Sequence, residues 1–176
     1  MAGIDESRVF VPVQIAILTV SDTRDETTDL SGPLLAQRVV SAGHRVLDRA
    51  IVPDELPAII AQLNLWIDES EIDVIIATGG TGLTGRDVTP EAVETVCDKS
   101  IPGFGELFRW IGFGKIGTST IQSRACAGVS KGTYVFSVPG SRGACADAWD
   151  EILVHQLDVR YQPCNFVEII PRLEES

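Results

Sequence analysis

Residues 73–92, DVIIATGGTGLTGRDVTPEA, join a short apolar run to a glycine-rich loop. The run at 73–78 is rich in isoleucine and valine, which predicts a strand buried on both faces of a sheet. The loop that follows contains Gly79, Gly80, Gly82 and Gly85. Next, Thr89 is a candidate N-cap and Pro90 fits the first position of a helix. The segment therefore predicts a strand, a loop and a helix in succession.

Apolar runs and helical periodicity alternate on both sides of this unit. Strands are predicted at 13–20, 44–52 and 133–138, with a less regular one at 119–129, and helices at 31–43, 54–69, 90–98, 103–113 and 141–158. This order predicts an α/β fold, with helices on both faces of a mainly parallel sheet. We expect a flexible N-terminus at 1–10 and a single domain at 11–172.

Composition limits the possible partners and compartments. The formal net charge is −11, which argues against nucleic acid or an anionic membrane as a partner. The N-terminus has no signal-peptide pattern, and no apolar run is long enough to span a bilayer. The cysteines have neither metal-ligand nor redox spacing, so we expect reduced thiols in a cytoplasmic protein. They are Cys97, Cys126, Cys145 and Cys164.

The glycine loop is close to two known nucleotide-binding patterns but fits neither. Its GxGxxG spacing is followed by four residues, 86–89, before the helix, whereas a dinucleotide fingerprint opens the helix directly. Arg86 and Asp87 stand where a phosphate loop needs Lys and Ser or Thr. Glycines nevertheless permit close backbone approach, and successive N–H groups form an anion-binding nest. We interpret the loop as a binding loop for an anionic group.

Polar or glycine residues follow several of the predicted strands, or lie in the loops just beyond them. Because the carboxyl ends of parallel strands meet at one sheet edge, we expect these residues to line one polar pocket. They are Ser21, Asp22, Asp54, Thr78, Gly79, Gly80, Thr81, Gly82, Arg86, Asp87, Pro139, Gly140 and Ser141. Five of these residues have an alternative role. Asp54 and Ser141 fit helix caps, Asp22 and Asp87 fit turns, and Arg86 fits a solvated surface. His44 and His155 are given no role.

TGGTGLTGRDVTPEA, IPGFGELFR and SVPGS resemble the MoaB and MogA type of molybdopterin-binding proteins, also found as domains of gephyrin and the plant Cnx proteins. The resemblance covers about residues 12–170. Two segments, IGTSTIQSRACAGV and QLDVRYQPCNF, are similar to the B branch of the family in particular. The resemblance implies a three-layer α/β/α fold, a role in molybdenum cofactor biosynthesis and a homo-oligomer, a hexamer rather than a trimer. It departs from the MogA pattern at residues 139–142, which read PGSR in place of PGxP.

The resemblance implies transfer of AMP from ATP to the terminal phosphate of molybdopterin, with Mg²⁺ required. By motif, the two aspartates of that chemistry fall on Asp54 and Asp87, which are also the candidate Mg²⁺ ligands. A non-catalytic molybdopterin-binding or scaffolding protein is the main alternative. A nucleotide-hydrolysing relative of the competence-damage type is a further one, against which the short chain counts.

An apolar cluster in the helix at 103–113 predicts a contact between subunits. The cluster has more apolar surface than one short helix needs to pack against the core of its own subunit. Packing of the whole cluster within the monomer is the alternative. Its residues are Phe104, Leu107, Phe108, Trp110, Ile111 and Phe113.

Overall fold

A six-stranded sheet forms the centre of the protein, for which a computed structural model describes residues 2–173 and 175. The strands are β1 (Gly3–Ile4), β2 (Gln14–Val20), β3 (Arg45–Val52), β4 (Val74–Thr78), β5 (Lys99–Ser100), β6 (Cys126–Ser130), β7 (Thr133–Val138) and β8 (Tyr161–Gln162). The spatial order in the large sheet is β3-β2-β4-β7-β6-β5. The first four of these are mutually parallel, whereas β6 and β5 are antiparallel to their neighbours. The predicted mainly parallel α/β sheet is confirmed.

Helices cover both faces of this sheet. They are α1 (Ser31–Ser41), α2 (Leu56–Ile67), α3 (Thr89–Val96), α4 (Pro102–Ile116), α5 (Arg142–Ala148) and α6 (Val154–Gln156), with 3₁₀ segments at Gly117–Gln122 and Val167–Arg172 and a π-helical turn at Trp149–Leu153. Helices α1, α4 and α5 pack on one face, while α2 and α3 pack on the other. The three layers expected from the resemblance are therefore present.

Alternation along each central strand divides the core into two clusters. In β2, Ile15 and Ile17 face α1 and α4, and Ala16 and Leu18 face α2 and α3. All four are at most 1 % exposed. A strand with apolar residues on both faces has to be covered on both, which explains the continuous apolar runs in the sequence.

Three local predictions need correction. Helix α3 begins at Thr89 itself, so Thr89 is not its N-cap, and no side chain caps the helix. Thr89 is fully buried, and its hydroxyl has no hydrogen-bond partner among the described residues. The predicted strand at 119–129 is mostly the Gly117–Gln122 3₁₀ segment and an extended connection, so that β6 begins only at Cys126. The helix predicted at 141–158 is interrupted by the π-helical turn.

The N-terminal segment pairs with a short strand that follows α6. Strand β1 pairs antiparallel with β8, and the Asp5 N–H donates to the Arg160 carbonyl at 2.8 Å. The Phe10 ring lies 5.1 Å from the His44 ring. Backbone pairing and one aromatic anchor thus place this polar segment against the domain.

His44 is a buried titratable group of the core. It is 5 % exposed, and its Nδ1 accepts a hydrogen bond from the Val13 N–H at 3.2 Å. Burial lowers the pKa of His44 from 6.5, and the Asp158 carboxylate opposes that shift. The neutral ring is therefore the form that the folded protein favours.

We expect His44 to make stability depend on pH. Because its folded pKa is lowered, the unfolded chain binds the proton first, so stability is full above pH 6.5 and falls as the pH drops below that value. Urea unfolding of the wild type and of His44→Asn, which keeps an acceptor for Val13, measures this. A wild type that loses no more stability than the variant below pH 6.5 would contradict it.

Candidate functional site

The carboxyl ends of β2, β3, β4 and β7 lie together at one edge of the sheet. The Ser21 N–H, after β2, donates to the Val52 carbonyl of β3 at 2.9 Å. The Gly79 N–H, after β4, donates to the Val138 carbonyl of β7 at 3.0 Å. These bonds hold the four loops that follow the strands next to one another.

Two glycines in the loop after β4 adopt backbone conformations that other residues avoid. Gly79 has φ of 107° and Gly80 has φ of 62°. A Cβ on Gly79 would lie 2.1 Å from the Val20 carbonyl oxygen. A Cβ on Gly80 would lie 2.3 Å from Thr89 Oγ1 and 2.8 Å from Asp54 Oδ1. Both positions therefore require glycine, for conformation and for space.

Asp22, Asp54 and Arg86 form one hydrogen-bonded cluster beside this loop. The Asp22 N–H donates to Asp54 Oδ2 and the Asp54 N–H donates to Asp22 Oδ1, each at 3.0 Å. Arg86 binds the Asp22 carboxylate through Nε at 3.0 Å and Nη2 at 2.7 Å. The Arg86 hydrogen bond holds the pKa of Asp22 below its ordinary value. Arg86 is thus paired with a carboxylate, although its side chain remains exposed.

Asp54 is the partly buried member of the cluster. Burial raises its pKa, and the nearby charges of Asp22 and Asp87 act in the same direction, while the Asp22 N–H and Arg86 oppose them. Asp54 Oδ1 and the unpartnered Thr89 hydroxyl both lie close to Gly80. A nearby cation would stabilise the ionised form of a carboxylate in this position.

Asp87 lies at the opposite end of the glycine loop. Its Oδ2 accepts hydrogen bonds from the Thr84 N–H at 2.8 Å and the Thr84 hydroxyl at 2.6 Å. The Thr84 hydroxyl is the main cause that lowers the pKa of Asp87, so the carboxylate is ionised at neutral pH. The atoms of this carboxylate lie within 3.1 Å of the position that a Cβ on Gly82 would take.

A cavity of about 480 Å³ opens beside the glycine loop. Its walls are the glycine loop, α4, the 3₁₀ segment and the start of α5. Of the predicted site residues, it is lined by Gly79, Gly80, Thr81, Gly82, Asp87, Pro139, Gly140 and Ser141. Asp22, Asp54 and Arg86 do not line it, and they lie on the other side of Gly80.

A smaller cavity of about 260 Å³ adjoins the first at Gly140 and Ser141, which line both. It contains the remaining predicted residues, Ser21 and Thr78, together with Arg24 and Arg142. Ser141 also caps α5, since its hydroxyl accepts from the Ala144 N–H at 3.2 Å. The predicted residues therefore divide among two adjoining cavities and the Asp22–Asp54–Arg86 cluster.

Four residues that line the larger cavity have backbone N–H groups for which no described residue is an acceptor. Among the residues that the structure describes, neither the Gly80 nor the Thr81 N–H has a protein acceptor. The Gly140 and Ser141 N–H groups have none in this part of the chain either. Unpaired N–H groups on two adjacent loops suit the oxygens of an anion.

Arg124 is a supporting residue that the sequence analysis missed. Its Nε donates to the Gly82 carbonyl at 2.7 Å, its Nη2 donates to the Asp87 carbonyl at 2.5 Å, and its Nη1 binds the Glu91 carboxylate. Its own N–H donates to the Thr81 carbonyl at 3.1 Å. Arg124 lies some 40 residues after the loop in the sequence. The only local sequence signal for it is the Ser-Arg pair within QSRAC.

Replacing Arg124 with glutamine is expected to loosen the glycine loop, because two carbonyls lose their donors. Unsatisfied buried acceptors cost about 1–3 kcal/mol of folding stability. Denaturant unfolding and hydrogen exchange over residues 79–88 measure the effect. Glu91→Gln is the matched control, since Glu91 binds the same guanidinium but neither loop carbonyl. Equal exchange in the loop of both variants would contradict the supporting role.

The described residues contain no group of three His, Cys, Asp or Glu side chains placed to hold a metal ion. Mg²⁺ is commonly held by one or two carboxylates, with waters and substrate phosphates as its other ligands. Asp54 and Asp87, on either side of the loop, match that sparser pattern. The four cysteines are free thiols. Across residues 2–173 and 175, no helix combines the length and apolar character needed to cross a membrane.

The family model for a probable molybdopterin binding domain matches residues 16–159. The chain belongs to this family. It is 50% identical over 160 residues to molybdenum cofactor biosynthesis protein B of Escherichia coli (strain K12), covering 91% of this chain and 94% of that protein.

Solved structures of the same family share the fold. The crystal structure of a molybdenum cofactor biosynthesis protein B has a TM-score of 0.83 at 42% identity, covering 85% of this chain and 94% of the other. The tungsten cofactor synthesizing protein MoaB from Pyrococcus furiosus has a TM-score of 0.72 at 35% identity, covering 81% and 91%. The glycine loop, Asp54, Asp87 and residues 139–141 all lie within the matched domain. The family model and these relatives therefore agree on the family of the domain.

Proposed function

We propose that this protein binds molybdopterin in the larger cavity and transfers AMP to it from Mg²⁺-ATP. The observation that carries the proposal is the glycine loop, whose free N–H groups and ionised Asp87 form one wall of the cavity. A net charge of −11 gives no general attraction for two polyanions. Local N–H groups and a bound cation would then have to bring them together.

The reaction would be a displacement at the α-phosphorus of ATP. An oxygen of the molybdopterin phosphate forms a bond to that phosphorus. The bond between the α-phosphorus and the oxygen that bridges it to the β-phosphate breaks. The products are adenylyl-molybdopterin and pyrophosphate. No strong base is needed, because a phosphate oxygen is already ionised at neutral pH.

Mg²⁺ would supply charge neutralisation between the two sets of phosphates. Asp87 is the first candidate ligand, because it is ionised and lines the cavity. Asp54 is the second candidate ligand. Burial and two neighbouring carboxylates disfavour its negative charge, so a bound cation would stabilise the ionised form. The chain itself contributes the loop that orients the phosphates and the two carboxylates that flank it.

Incubation of purified protein with molybdopterin, ATP and Mg²⁺ tests the proposal. The expected products are adenylyl-molybdopterin and pyrophosphate in equal amounts, separated by chromatography. Omission of Mg²⁺ should abolish the reaction. Tight binding of molybdopterin without any adenylylated product would overturn the catalytic part.

One observation favours a non-catalytic binding role as the second candidate. Asp54 does not line the larger cavity, and its Oδ2 is occupied by the Asp22 N–H. A protein that only holds or delivers molybdopterin would need the cavity and the glycine loop, but not Asp54. Single-turnover transfer by Asp54→Asn separates the two roles, because an unchanged rate would remove Asp54 from the chemistry.

We also propose that the outer face of α4 is an interface between copies of the chain. Phe104 and Phe108 are buried in the core, whereas Leu107, Trp110 and Phe113 are 40%, 75% and 58% exposed. Because residues three apart are neighbours on a helix surface, consecutive members of this set lie next to each other on the exposed side of α4. An apolar stripe of this size suits a second copy of the same surface or a neighbouring one in a closed ring.

Replacing Trp110 with glutamate is expected to dissociate the oligomer. Light scattering at micromolar concentration should give a hexamer for the wild type and a smaller species for the variant. Leu65→Glu on α2 is the control, because Leu65 is equally apolar, 65% exposed and belongs to the layer on the other face of the sheet. A monomeric wild type would exclude the interface.

A further inference from the structure

Lys115 and Asp147 form an ion pair on the wall of the larger cavity. Lys115 Nζ on α4 lies 2.7 Å from Asp147 Oδ1 on α5, and 3.3 Å from Glu151 Oε1. Lys115 and Asp147 line the cavity, while Glu151 does not. With Asp87, they are the charged side chains of the lining. Neither belongs to the glycine loop or to the residues singled out by the sequence.

This ion pair and the phosphate-binding loops occupy different ends of the cavity. Asp147 lies six residues after the α5 cap Ser141, which corresponds to about 9 Å along the helix axis. The unpaired N–H groups are at the Ser141 end, on Gly80, Thr81, Gly140 and Ser141. The cavity therefore offers unpaired N–H donors beside Asp87 at one end and the carboxylate of Asp147, paired with Lys115, at the other.

Besides the polar residues Ser119, Thr120, Gln122 and Ser123, the lining includes an apolar part. Phe108, Gly112 and Ile116 contribute it from α4, and Gly143 and Ala144 contribute it from α5. Phe108 is 6% exposed and so is fixed by the core. Small and apolar residues on two facing helices leave room for a flat ring system between them.

We propose that Asp147, held by Lys115, recognises the 2-amino-4-oxo edge of the pterin ring. This edge presents an amino group and a ring N–H, two donors side by side that match the two oxygens of a carboxylate. The inference rests on the proposed function, and it adds the orientation of the ligand. The pterin lies toward Asp147, and the phosphate lies against the glycine loop.

The reverse orientation would be unfavourable for both ends. A phosphate beside Asp147 would meet a carboxylate away from the unpaired N–H groups that accompany Asp87 at the other end, and Lys115 is already bound to Asp147 and Glu151. The donor edge of a pterin at the glycine loop would meet further N–H donors, and the Asp87 Oδ2 there already accepts two hydrogen bonds from Thr84. Guanine carries the same donor edge as a pterin, so the recognition chemistry is shared and the two rings have to be distinguished by experiment.

Fluorescence titration with two phosphate-free probes tests the assignment. 6-Hydroxymethylpterin has the 2-amino group, whereas 6-hydroxymethyllumazine has an oxygen in its place and offers an acceptor to Asp147. The wild type should bind the pterin at least tenfold more tightly than the lumazine. Asp147→Asn should reduce this preference to near unity, since an amide can donate as well as accept.

Glu151→Gln is the matched control, because Glu151 also binds Lys115 but lies outside the cavity. It should retain the wild-type preference. The ratio of the two affinities is measured within one variant, so partial loss of folded protein does not alter it. A tenfold preference that persists in Asp147→Asn would overturn the assignment. Guanosine binding as tightly as the pterin would also overturn it, in favour of a guanine site.

These outcomes are separable from failure of the proposed function. A wild type that adenylylates molybdopterin but shows no preference between pterin and lumazine would retain the function and remove the role of Asp147. A wild type that shows the preference and loses it in Asp147→Asn, yet forms no adenylylated product, would retain the pterin site and remove the catalysis.

Discussion

Replacing Gly80 with valine is expected to abolish molybdopterin binding. Any Cβ at this position meets Thr89 Oγ1 at 2.3 Å and Asp54 Oδ1 at 2.8 Å, and the backbone φ of 62° is unfavourable for a β-branched residue. The loop has to move, and its N–H groups leave the cavity wall. We expect affinity to fall on the order of 100-fold or more, which corresponds to about 2.7 kcal/mol. Calorimetric titration with molybdopterin measures this.

Gly85→Val is the matched control in the same loop. A Cβ on Gly85 has no neighbour within 4 Å, and its φ is not positive. This variant should bind nearly as the wild type does. Circular dichroism should show that both variants keep the fold, because the change lies at the sheet edge. Wild-type affinity in Gly80→Val would exclude the loop as the phosphate site.

Replacing Asp87 with asparagine should separate binding from chemistry. The side chain keeps its size, and its amide oxygen can still accept from Thr84, so the loop should persist. Loss of the charge removes a candidate Mg²⁺ ligand, and the transition state depends on the cation more than the bound ground state does. We expect transfer in single turnover to fall about 100- to 1,000-fold. Molybdopterin binding without metal should remain equal or become tighter.

Asp5→Asn provides the matched control for this charge change. Asp5 accepts from the Ser7 N–H at 3.0 Å and the Ser7 hydroxyl at 2.6 Å, a pattern like that of Asp87 with Thr84, but at the N-terminus. It should transfer AMP at the wild-type rate. If Asp87→Asn is as active as Asp5→Asn, then Asp87 is a turn residue and the catalytic assignment is wrong.

Much of the fold follows from local patterns in the sequence. β2, β4 and β7 are continuous apolar runs because both of their faces are covered, and the periodicity of α1 and α2 follows from one buried face each. The clustering of strand ends also follows, because parallel strands share one carboxyl edge. The strand and helix order was therefore sufficient to bring Ser21, Asp54 and Gly79 to one side of the sheet.

Other features depend on contacts between distant segments and could not be predicted. Thr89 has a good N-cap sequence, yet its side chain is buried against Gly80 and the helix starts without a cap. Arg124 supports the glycine loop from a segment that was predicted as a strand. The pairing of Lys115 with Asp147 requires α4 and α5 to lie side by side, which no local pattern in either helix reveals.

The order of the strands gives the position of the site a topological origin. From β2 the chain moves to one side to form β3, and it then returns past β2 to form β4 on the other side. The connections that leave β2 and β4 run over opposite faces of the sheet, through α1 and α3 respectively. A crevice thus opens between the ends of β2 and β4 whatever residues stand there. The smaller cavity lies at this crevice, and the larger cavity adjoins it at Gly140 and Ser141. We propose that side chains such as Asp87 and Asp147 determine which molecule the larger cavity accepts, while the path of the chain determines where it is held.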